Sequence, residues 1–372
     1  MKPERALDSA AGMPVVLWWG RFDPNYSRNR VLRTLLADLG LQVRDFHPQF
    51  SGLADWEARL RGIQRPALVW VPCFRQRDID AASRWARRHD VPLLIDPLIS
   101  AYDKQVDERR KLTAESPKAK RLLAWESKRY RLADRVLADT PAHADYFMQV
   151  LGVAPSRLAV VYVGAEAALF KPMPRQPRPA GAPLEILFYG SFIPLQGPQV
   201  VIDAARLYAG PPVRWTLLGK GPLRAQCEEK AHGLSNVQFE EWLPYAALPD
   251  RIRQADILLG IFGATPKAGR VIPNKVYQSL ACGRVVVTRF SSAYPEKLVA
   301  ADDSGLVWTR AGDAQSLADA IAHLAADAGS LDRLGEAAAH TSQQFFSESA
   351  LRQQLCQALR GFVACDAKAN VL

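Results

Sequence analysis

Short apolar runs recur along the chain and alternate with segments whose apolar positions have helical spacing. In the first half, the runs predict buried strands at residues 15–19, 41–46, 67–72, 92–95, 135–138 and 158–163. Helical spacing predicts helices over residues 28–39, 79–88 and 142–151, the first capped by Ser27 and ended by Gly40. This alternation is typical of a parallel sheet covered on both faces by helices.

A proline-rich segment at residues 171–183 interrupts this pattern. Its five prolines and two arginines disfavour a helix or a central strand. Beyond it the alternation restarts, with strands predicted at 185–189, 213–218, 237–240, 257–261 and 285–288. Helices are predicted at 198–208, up to 231, at 314–326 and at 348–364. The chain therefore predicts an α/β protein of two doubly wound, Rossmann-like domains at residues 1–170 and 184–346, followed by a helix in 347–372 that packs back on the first domain.

Composition and charge narrow the classes of partner. The chain has 372 residues, 48% of them hydrophobic, and a formal net charge of +10 that favours an anionic partner. Its five cysteines are scattered, which favours reduced thiols over a disulfide framework or a zinc site. No run is long enough for a membrane-spanning helix, and the apolar run near the N-terminus is too short for a signal peptide. We expect a cytoplasmic protein.

The segment 256–290 carries the strongest candidate site. It predicts strand, loop, helix and strand, and its loop region carries Lys267, Arg270 and Lys275. Loops at the carboxyl ends of parallel strands form ligand sites, and helix starts there present free N–H groups to anions. A phosphate-bearing ligand suits this arrangement. The alternative is a solvated basic loop.

The loop after the first predicted strand is a second candidate. Gly20, Arg21, Tyr26, Ser27 and Arg28 follow that strand and open the first helix, on the side that faces the cleft between the domains. They are candidates for contact with phosphate or with a second substrate. A capped helix start with surface arginines is the alternative interpretation.

Five segments of the second half resemble, in order and spacing, the donor-binding half of retaining glycosyltransferases of family 4, which have the GT-B fold. They are LFYGSFIPLQGPQVVIDAARL, VRWTLLGKGPL, NVQFEEWLPYAAL, RQADILLGIFG and VIPNKVYQSLACGRVVV. Two first-domain segments, LAWESKRYRLADRVLADT and VVYVGAEAALFKP, resemble the part before the family's linker. The resemblance covers residues 123–346, and it is weaker at the N-terminus.

The resemblance implies that Gly190 and Gly197 bring the backbone close to a donor diphosphate, as glycines permit. An ordinary tight turn would need glycines for the same steric reason. Family members place arginine after the first glycine and lysine before the second, whereas this chain has Ser191 and Gln196. Both remain candidate donor contacts, without the expected positive charge.

The family also carries two glutamates seven residues apart, one for the donor sugar and one for the ribose. Alignment gives Arg270 and Gln278 at those positions. Gln278 can hydrogen-bond the ribose hydroxyls, and Arg270 and Lys275 are the candidate catalytic cations for the leaving diphosphate. The resemblance adds further candidate donor contacts, namely Gly219, Gly221, Trp242, Leu243, Pro273 and Asn274. For Trp242 an aromatic lid over the core is an equal alternative.

Asp96 ends the fourth predicted strand, where relatives often carry a residue near the transferred sugar, so it is a candidate catalytic or positioning group. Asp103 is a further candidate for positioning donor or acceptor, and a surface residue is the favoured interpretation of it. Residues 104–135 contain eleven lysines and arginines around Leu112, Leu122, Leu123 and Trp125. This stretch predicts either peripheral contact with anionic lipid on the cytosolic face of the membrane or a solvated helix.

The resemblance implies a retaining hexosyltransferase that needs neither metal nor other cofactor and moves a sugar from a nucleotide diphosphate donor to a glycan or glycolipid acceptor. Bacterial-type cell-surface polysaccharide or glycolipid synthesis is the expected setting. The alternative is a non-catalytic subunit that binds nucleotide or glycan. A sugar-nucleotide epimerase shares the fold class. Nucleic-acid binding would rest on charge alone, and no nucleic acid partner is expected.

Overall fold

Two parallel six-stranded sheets form the framework of the computed structural model, which describes residues 13–176, 178–179 and 181–364. The first sheet has the order β2-β1-β3-β4-β5-β6. Its strands are β1 (Val15–Trp19), β2 (Gln42–Phe46), β3 (Leu68–Val71), β4 (Leu93–Ile95), β5 (Arg135–Ala138) and β6 (Leu158–Val160). Its helices are α1 (Ser27–Asp38), α2 (Ala54–Leu60), α3 (Ile79–Arg88), α4 (Ala101–Asp103), α5 (Pro117–Tyr130) and α6 (Pro141–Gln149). A π-helical turn, Lys104–Glu108, continues α4.

The second sheet has the order β12-β11-β10-β7-β8-β9. Its strands are β7 (Leu184–Tyr189), β8 (Val213–Leu218), β9 (Val237–Glu240), β10 (Ile257–Leu259), β11 (Val285–Arg289) and β12 (Leu306–Thr309). The helices are α7 (Pro198–Leu207), α8 (Arg224–Lys230), α9 (Leu248–Gln254), α10 (Asn274–Ala281), α11 (Glu296–Val299), α12 (Ala314–Ala326), α13 (Ser330–Phe345) and α14 (Glu348–Leu359). The predicted two-domain α/β fold is confirmed.

The central strands are apolar on both faces because helices cover both sides of each sheet. In β3 all four residues are buried, and in β10 all three are. One continuous apolar cluster includes Trp18 of β1, Tyr277 of α10 and Leu355 of α14. The two domains therefore share part of their core.

Helix α14 lies against the first domain. Arg352 Nη2 is 3.1 Å from Asp38 Oδ2 of α1, and the amide of Tyr162 donates to Gln354 Oε1 at 3.0 Å. A Cβ atom added to Gly164 would overlap the side chain of Leu351, so the chain after β6 touches α14 directly. The domain limits given above stay predictions, and residues 1–12 and 365–372, including Cys365, lie outside the described residues.

Element positions differ from expectation in a few places. The predicted N-cap Ser27 is instead the first residue of α1, and Tyr26 holds the cap position without a side-chain bond. Helix α14 ends five residues early because Arg360 turns to extended backbone and Gly361 has a φ of +85°. The prediction omits α2, α5, α13 and β12, among other elements. Cys73, Cys227 and Cys282 are buried thiols outside any disulfide.

Candidate functional site

The loops that follow β7, β8 and β10 meet at the carboxyl edge of the second sheet. Gly190 and Gly219 follow β7 and β8 with φ angles of +139° and +141°, a conformation that residues with a Cβ rarely adopt. A Cβ atom on Gly219 would overlap the carbonyl oxygen of Gly190. The two loops are thus packed backbone to backbone. A Cβ atom added to Gly221 would lie 2.6 Å from Phe192 N, and one added to Gly197 would lie 2.7 Å from Gly263 N.

Lys275, in the first turn of α10, directs its ammonium toward the Gly190 loop. A Cβ atom on Gly190 would lie 3.4 Å from Lys275 Nζ and 3.8 Å from Gln196 Oε1. The Lys275 side chain is buried, and its Nζ sits 3.6 Å from the centroid of the Phe188 ring. Neither Lys275 Nζ nor Gln196 Oε1 has a hydrogen-bond partner among the described residues. Burial lowers the pKa of Lys275 well below its ordinary value.

An unpartnered buried ammonium is unfavourable by itself, and an unpartnered amide oxygen adds to the cost. Together they border the glycine loop at Gly190, where both groups lie within 4 Å of the position of an added Cβ atom. Pro273 and Asn274 are half-buried and open α10 beside them, and the side chain of Ser191 is exposed on the loop. This pocket, defined by Gly190, Gln196 and Lys275, is suited to an anionic group with hydrogen-bonding oxygens.

Arg270 does not point at this pocket. Its Nη2 lies 2.6 Å from Asp103 Oδ1 and 2.7 Å from Asp107 Oδ2, both in the first domain. Its guanidinium also stacks over the ring of Tyr146, and its carbonyl accepts a bond from Thr140 Oγ1. The predicted surface position of Asp103 is wrong, because its side chain is fully buried by this interdomain contact.

A second ion pair between the two domains lies close to the contacts of Arg270. Lys267 Nζ is 2.7 Å from Glu108 Oε2, and the two side chains are 2% and 5% exposed. His143 Nδ1 lies 2.6 Å from Asp139 Oδ1, while His143 Nε2 faces Asp103 Oδ2 at 3.8 Å. We name Lys267, Arg270, Asp103, Asp107 and Glu108 the interdomain ion cluster. Two of the three basic residues predicted to bind phosphate therefore bind first-domain carboxylates.

Gln278 is buried in a hydrogen-bond chain. Its Oε1 accepts from the Tyr189 hydroxyl at 3.0 Å, and its Nε2 donates to the Tyr245 hydroxyl at 3.3 Å. Tyr245 in turn donates to Glu166 Oε1 at 2.8 Å, and Arg30 Nη2 donates to the same carboxylate at 2.7 Å. The amide of Gln278 thus links the second domain to the first, and its predicted ribose contact stays a prediction.

Trp242 and Leu243 lie on the loop after β9. The Trp242 side chain is 43% exposed, and the alternative of an aromatic lid over the core stays a prediction as well. Leu243 is half-buried against the shared apolar cluster. Their predicted contact with the nucleotide base stays a prediction.

Asp96 and Arg28 bind each other inside the first domain. Arg28 Nε lies 2.8 Å from Asp96 Oδ2, Nη2 lies 2.9 Å from Oδ1, and neither side chain is exposed. Arg28 also donates to the carbonyl of Val161 at 2.9 Å. Burial alone would lower the pKa of Arg28, but the adjacent Asp96 raises it above its ordinary value. In this conformation Arg28 is not a surface arginine and Asp96 presents no free carboxylate to the cleft.

The other residues of the first-domain loop have mixed environments. Gly20 has a φ of +126° and lies against Asp78, while Arg21 is exposed and donates to the carbonyl of Gln49 at 2.7 Å. Tyr26 packs edge to face on Phe74, and Ser27 is buried. Tyr26 and Arg21 are the two of this group whose side chains retain some exposure.

Sequence reasoning missed Asp107 and Glu108, the pairing of Asp103 with Arg270, and the Tyr245–Glu166–Arg30 contacts. These residues come from separate helices and loops, so no local spacing connects them. The one available signal was that three acids, Asp103, Asp107 and Glu108, follow closely after the fourth predicted strand. Among the described residues, no group of His, Cys, Asp and Glu has the arrangement of a metal site. In the same part of the chain, every helix is too short or too polar to cross a bilayer.

Family models match both halves of the chain. Residues 183–327 match the model described as glycosyl transferases group 1, and residues 5–164 match the glycosyl transferase 4-like domain. The chain is 29% identical over 180 residues to the D-inositol 3-phosphate glycosyltransferase of Thermomonospora curvata, which covers 42% of this chain and 41% of that protein. The chain spans less than half the length of the first curated relatives it matches.

A longer match joins the chain to the lipopolysaccharide core biosynthesis glycosyltransferase LpsE of Rhizobium meliloti. It has 25% identity over 322 residues and covers 80% of this chain and 91% of that protein. Among solved structures, HepE of Anabaena in complex with UDP superposes with a TM-score of 0.67 and 17% identity, over 93% of this chain and 99% of that one. This likeness concerns the fold.

Proposed function

The chain belongs to the glycosyltransferases of the GT-B fold, and from that premise we propose that it transfers a sugar from a nucleotide diphosphate sugar to an acceptor hydroxyl. One observation carries the proposal. The buried ammonium of Lys275 has no partner within the described chain and borders the glycine loop at Gly190. A donor diphosphate supplies the negative charge that this ammonium lacks.

Lys275 stabilises the leaving diphosphate by charge. Burial lowers the pKa of Lys275 and so disfavours its protonated form, and the negative charge of a bound diphosphate would oppose that effect. Lys275 lies in the first turn of α10, and the positive end of that helix adds to the attraction for an anion. Because the pocket is shielded from water, the interaction strengthens as charge builds on the leaving oxygen.

We propose transfer with retention of configuration and without a metal. The bond between the sugar C1 and the phosphate oxygen breaks, the acceptor oxygen bonds to C1 on the same face, and the acceptor proton passes to the departing diphosphate. The residues present suit this route, since the side chain of Lys275 has no partner in the described chain and is available to the leaving diphosphate. The stereochemistry of the product tests it directly.

The acceptor in this proposal is a glycan or a glycolipid of the bacterial cell surface. LpsE, which aligns over most of both chains, is named for lipopolysaccharide core biosynthesis. The protein would work in the cytoplasm, at the cytosolic face of the membrane where lipid-linked acceptors are exposed. Nucleic acid has no part in this function.

The first experiment is a thermal-shift screen with UDP-, GDP- and TDP-sugars, followed by transfer assays with the sugars that bind. UDP-sugars come first because HepE was solved with UDP. Lys275→Met should abolish the thermal shift, whereas Lys297→Met, an exposed lysine of the same domain, should retain it. Unchanged donor turnover in Lys275→Met would contradict the proposal.

A non-catalytic binding subunit is the second candidate. It is favoured by the internal use of Arg270 and Gln278, whose positions correspond to ligand contacts in the family. Nucleotide binding with neither transfer nor donor hydrolysis across the panel would select this candidate.

A further inference from the structure

Four large apolar side chains form an exposed ridge on the first domain. Phe50, Leu53, Trp56 and Leu60 are 67%, 61%, 56% and 87% exposed. They recur at intervals of three, three and four residues along the turn Ser51–Leu53 and helix α2, which sets them on one face. The opposite face of α2 is buried through Ala54, Asp55 and Ala58. We name these four residues the α2 ridge.

The ridge is not an incidental surface feature. Single exposed apolar residues are ordinary, whereas contiguous ones mark a contact surface. None of the four side chains joins an apolar cluster within the described chain. A helix that presents Leu and Trp outward and alanine inward has its apolar face turned to a partner, not to its own core.

Charge around the ridge selects the partner. The carboxylates of Asp45, Asp55 and Glu57 are each paired with an arginine, namely Arg33, Arg84 and Arg61. Arg44 and Arg59 are exposed, and neither pairs with a carboxylate in the described part of the chain. The ridge therefore carries excess positive charge beside Trp, Phe and Leu, which is the composition of helices that lie in the interface of anionic membranes.

The basic stretch at residues 104–135 lacks the apolar half of this pattern. Its Leu112, Leu122 and Leu123 pack against the first-domain core, and Trp125 is covered by Arg129, whose guanidinium lies 4.0 Å from the ring centroid. Charge alone, without exposed apolar side chains, gives weaker and more salt-sensitive membrane contact.

The ridge also borders the first-domain loop of the cleft. Arg21 donates to the carbonyl of Gln49, one residue before the ridge, and Arg75 Nη2 lies 3.4 Å from Ser51 Oγ. A lipid surface under the ridge would therefore lie near the loop that opens α1. An acceptor anchored in that surface would have its hydroxyl close to the cleft.

We propose that the α2 ridge is the membrane-docking surface of this protein, with Phe50, Leu53, Trp56 and Leu60 entering the interface of an anionic bilayer and the neighbouring arginines meeting its headgroups. The proposal deepens the peripheral role given under the proposed function and rests on it. Donor chemistry does not enter the binding step, so a failure to bind vesicles and a failure to transfer sugar are separate results.

The test is co-sedimentation of the full chain with vesicles of phosphatidylcholine mixed with phosphatidylglycerol, and with vesicles of phosphatidylcholine alone. The wild type should bind the mixed vesicles more strongly. Trp56→Ser with Leu60→Ser should lower the partition coefficient by about tenfold or more. The control, Leu207→Ser with Phe290→Ser, changes two exposed apolar residues of the second domain, 48% and 52% exposed, and should bind as the wild type does.

A second measurement is independent of the double substitution. Brominated lipid should quench the fluorescence that Trp56 contributes in the wild type. Trp56→Phe keeps an apolar side chain and should still bind, but it should lack this quenched contribution. Wild-type binding by the ridge variant, equal binding to neutral vesicles, or stronger loss with Lys118→Gln, Lys120→Gln and Arg121→Gln would overturn the proposal. A dimer that depends on Trp56 and Leu60, with unchanged vesicle binding, would overturn it in favour of self-association.

Discussion

Lys267 Nζ lies 2.7 Å from Glu108 Oε2, and both side chains are almost fully buried between the two domains. The lysine belongs to the loop after β10 and the glutamate to the π-helical turn after α4. Each charge of such a buried pair offsets the desolvation cost of the other, so removing one leaves the other strongly unfavourable. The contact therefore couples the positions of a second-domain loop and a first-domain turn.

We expect Glu108→Gln to lower the free energy of unfolding by about 3–5 kcal/mol, because it leaves the Lys267 charge buried without a partner. Adding Lys267→Met should recover most of that loss. Urea unfolding followed by circular dichroism measures both. Asp303→Asn, which breaks the exposed Arg333–Asp303 pair, is the control and should cost less than about 1 kcal/mol. An effect of Glu108→Gln no larger than the control would refute the buried coupling.

Lys275→Met should stabilise the protein while removing donor binding. Replacing a buried amine that lacks a partner with a thioether of similar length removes a desolvation cost of about 1–3 kcal/mol. The melting temperature should therefore rise as the thermal shift on nucleotide addition disappears. A variant that loses stability and still binds nucleotide would show that Lys275 is structural.

The pH dependence of stability follows from the same lysine. Its pKa in the folded state is lowered by burial, so the folded state binds fewer protons than the unfolded state between that lowered pKa and the ordinary value of 10.5. The contribution to stability is complete above the ordinary value and is lost as the pH falls toward the lowered pKa. Lys275→Met should show a flatter dependence of unfolding free energy on pH in that window. An unchanged slope would mean that Lys275 keeps an ordinary pKa.

Gly219→Ala should destabilise the second domain by about 2–4 kcal/mol, from backbone strain and overlap with the Gly190 carbonyl together. Gly233→Ala is a close control. Gly233 also has a positive φ, +83°, but an added Cβ atom would meet no heavy atom within 4 Å, so it should cost only about 1 kcal/mol. Thermal unfolding compares the two, and equal losses would mean that the two loops are not in tight contact.

Arg270→Gln should lower the melting temperature more at neutral pH than at acid pH. Burial already raises the pKa of Asp103, and Arg270 opposes that rise. Without Arg270 the Asp103 carboxylate is costly when ionised and tolerable when protonated, so the melting-temperature difference from wild type should shrink as the pH falls toward 5. Arg333→Gln, which breaks the exposed pair with Asp303, is the control and should show no such trend. A difference independent of pH would remove Asp103 from the explanation.

The sheets were predictable because parallel strands that are buried on both faces are nearly continuous apolar runs. Residues 15–19, 135–138 and 213–218 were predicted at their observed bounds. Helix α2 was missed because its apolar residues face outward, so its pattern does not match a core helix. The short strand β12 was missed because only Leu306 and Thr309 of its four residues are buried.

The candidate site was partly predictable. The glycine loops could be found from the sequence because only glycine adopts the required backbone there. The partners of the lysines and arginines could not be found, since charge pairing depends on which loops meet in space. Lys267 and Arg270 carry the same charge as Lys275 and lie close to it in sequence, yet the first two bind carboxylates and only Lys275 keeps an unpartnered ammonium.

Helix α14 gives the molecule a connectivity in which the first domain is built from two separate stretches of chain. The chain leaves the first domain after β6, completes the second sheet and returns to lie against α1 and the segment after β6. Cutting the chain in the proline-rich segment would thus not release two finished halves. An isolated first half would expose the surface that Leu351 and Leu355 normally cover. Adding residues 347–364 as a separate peptide should cover that surface again.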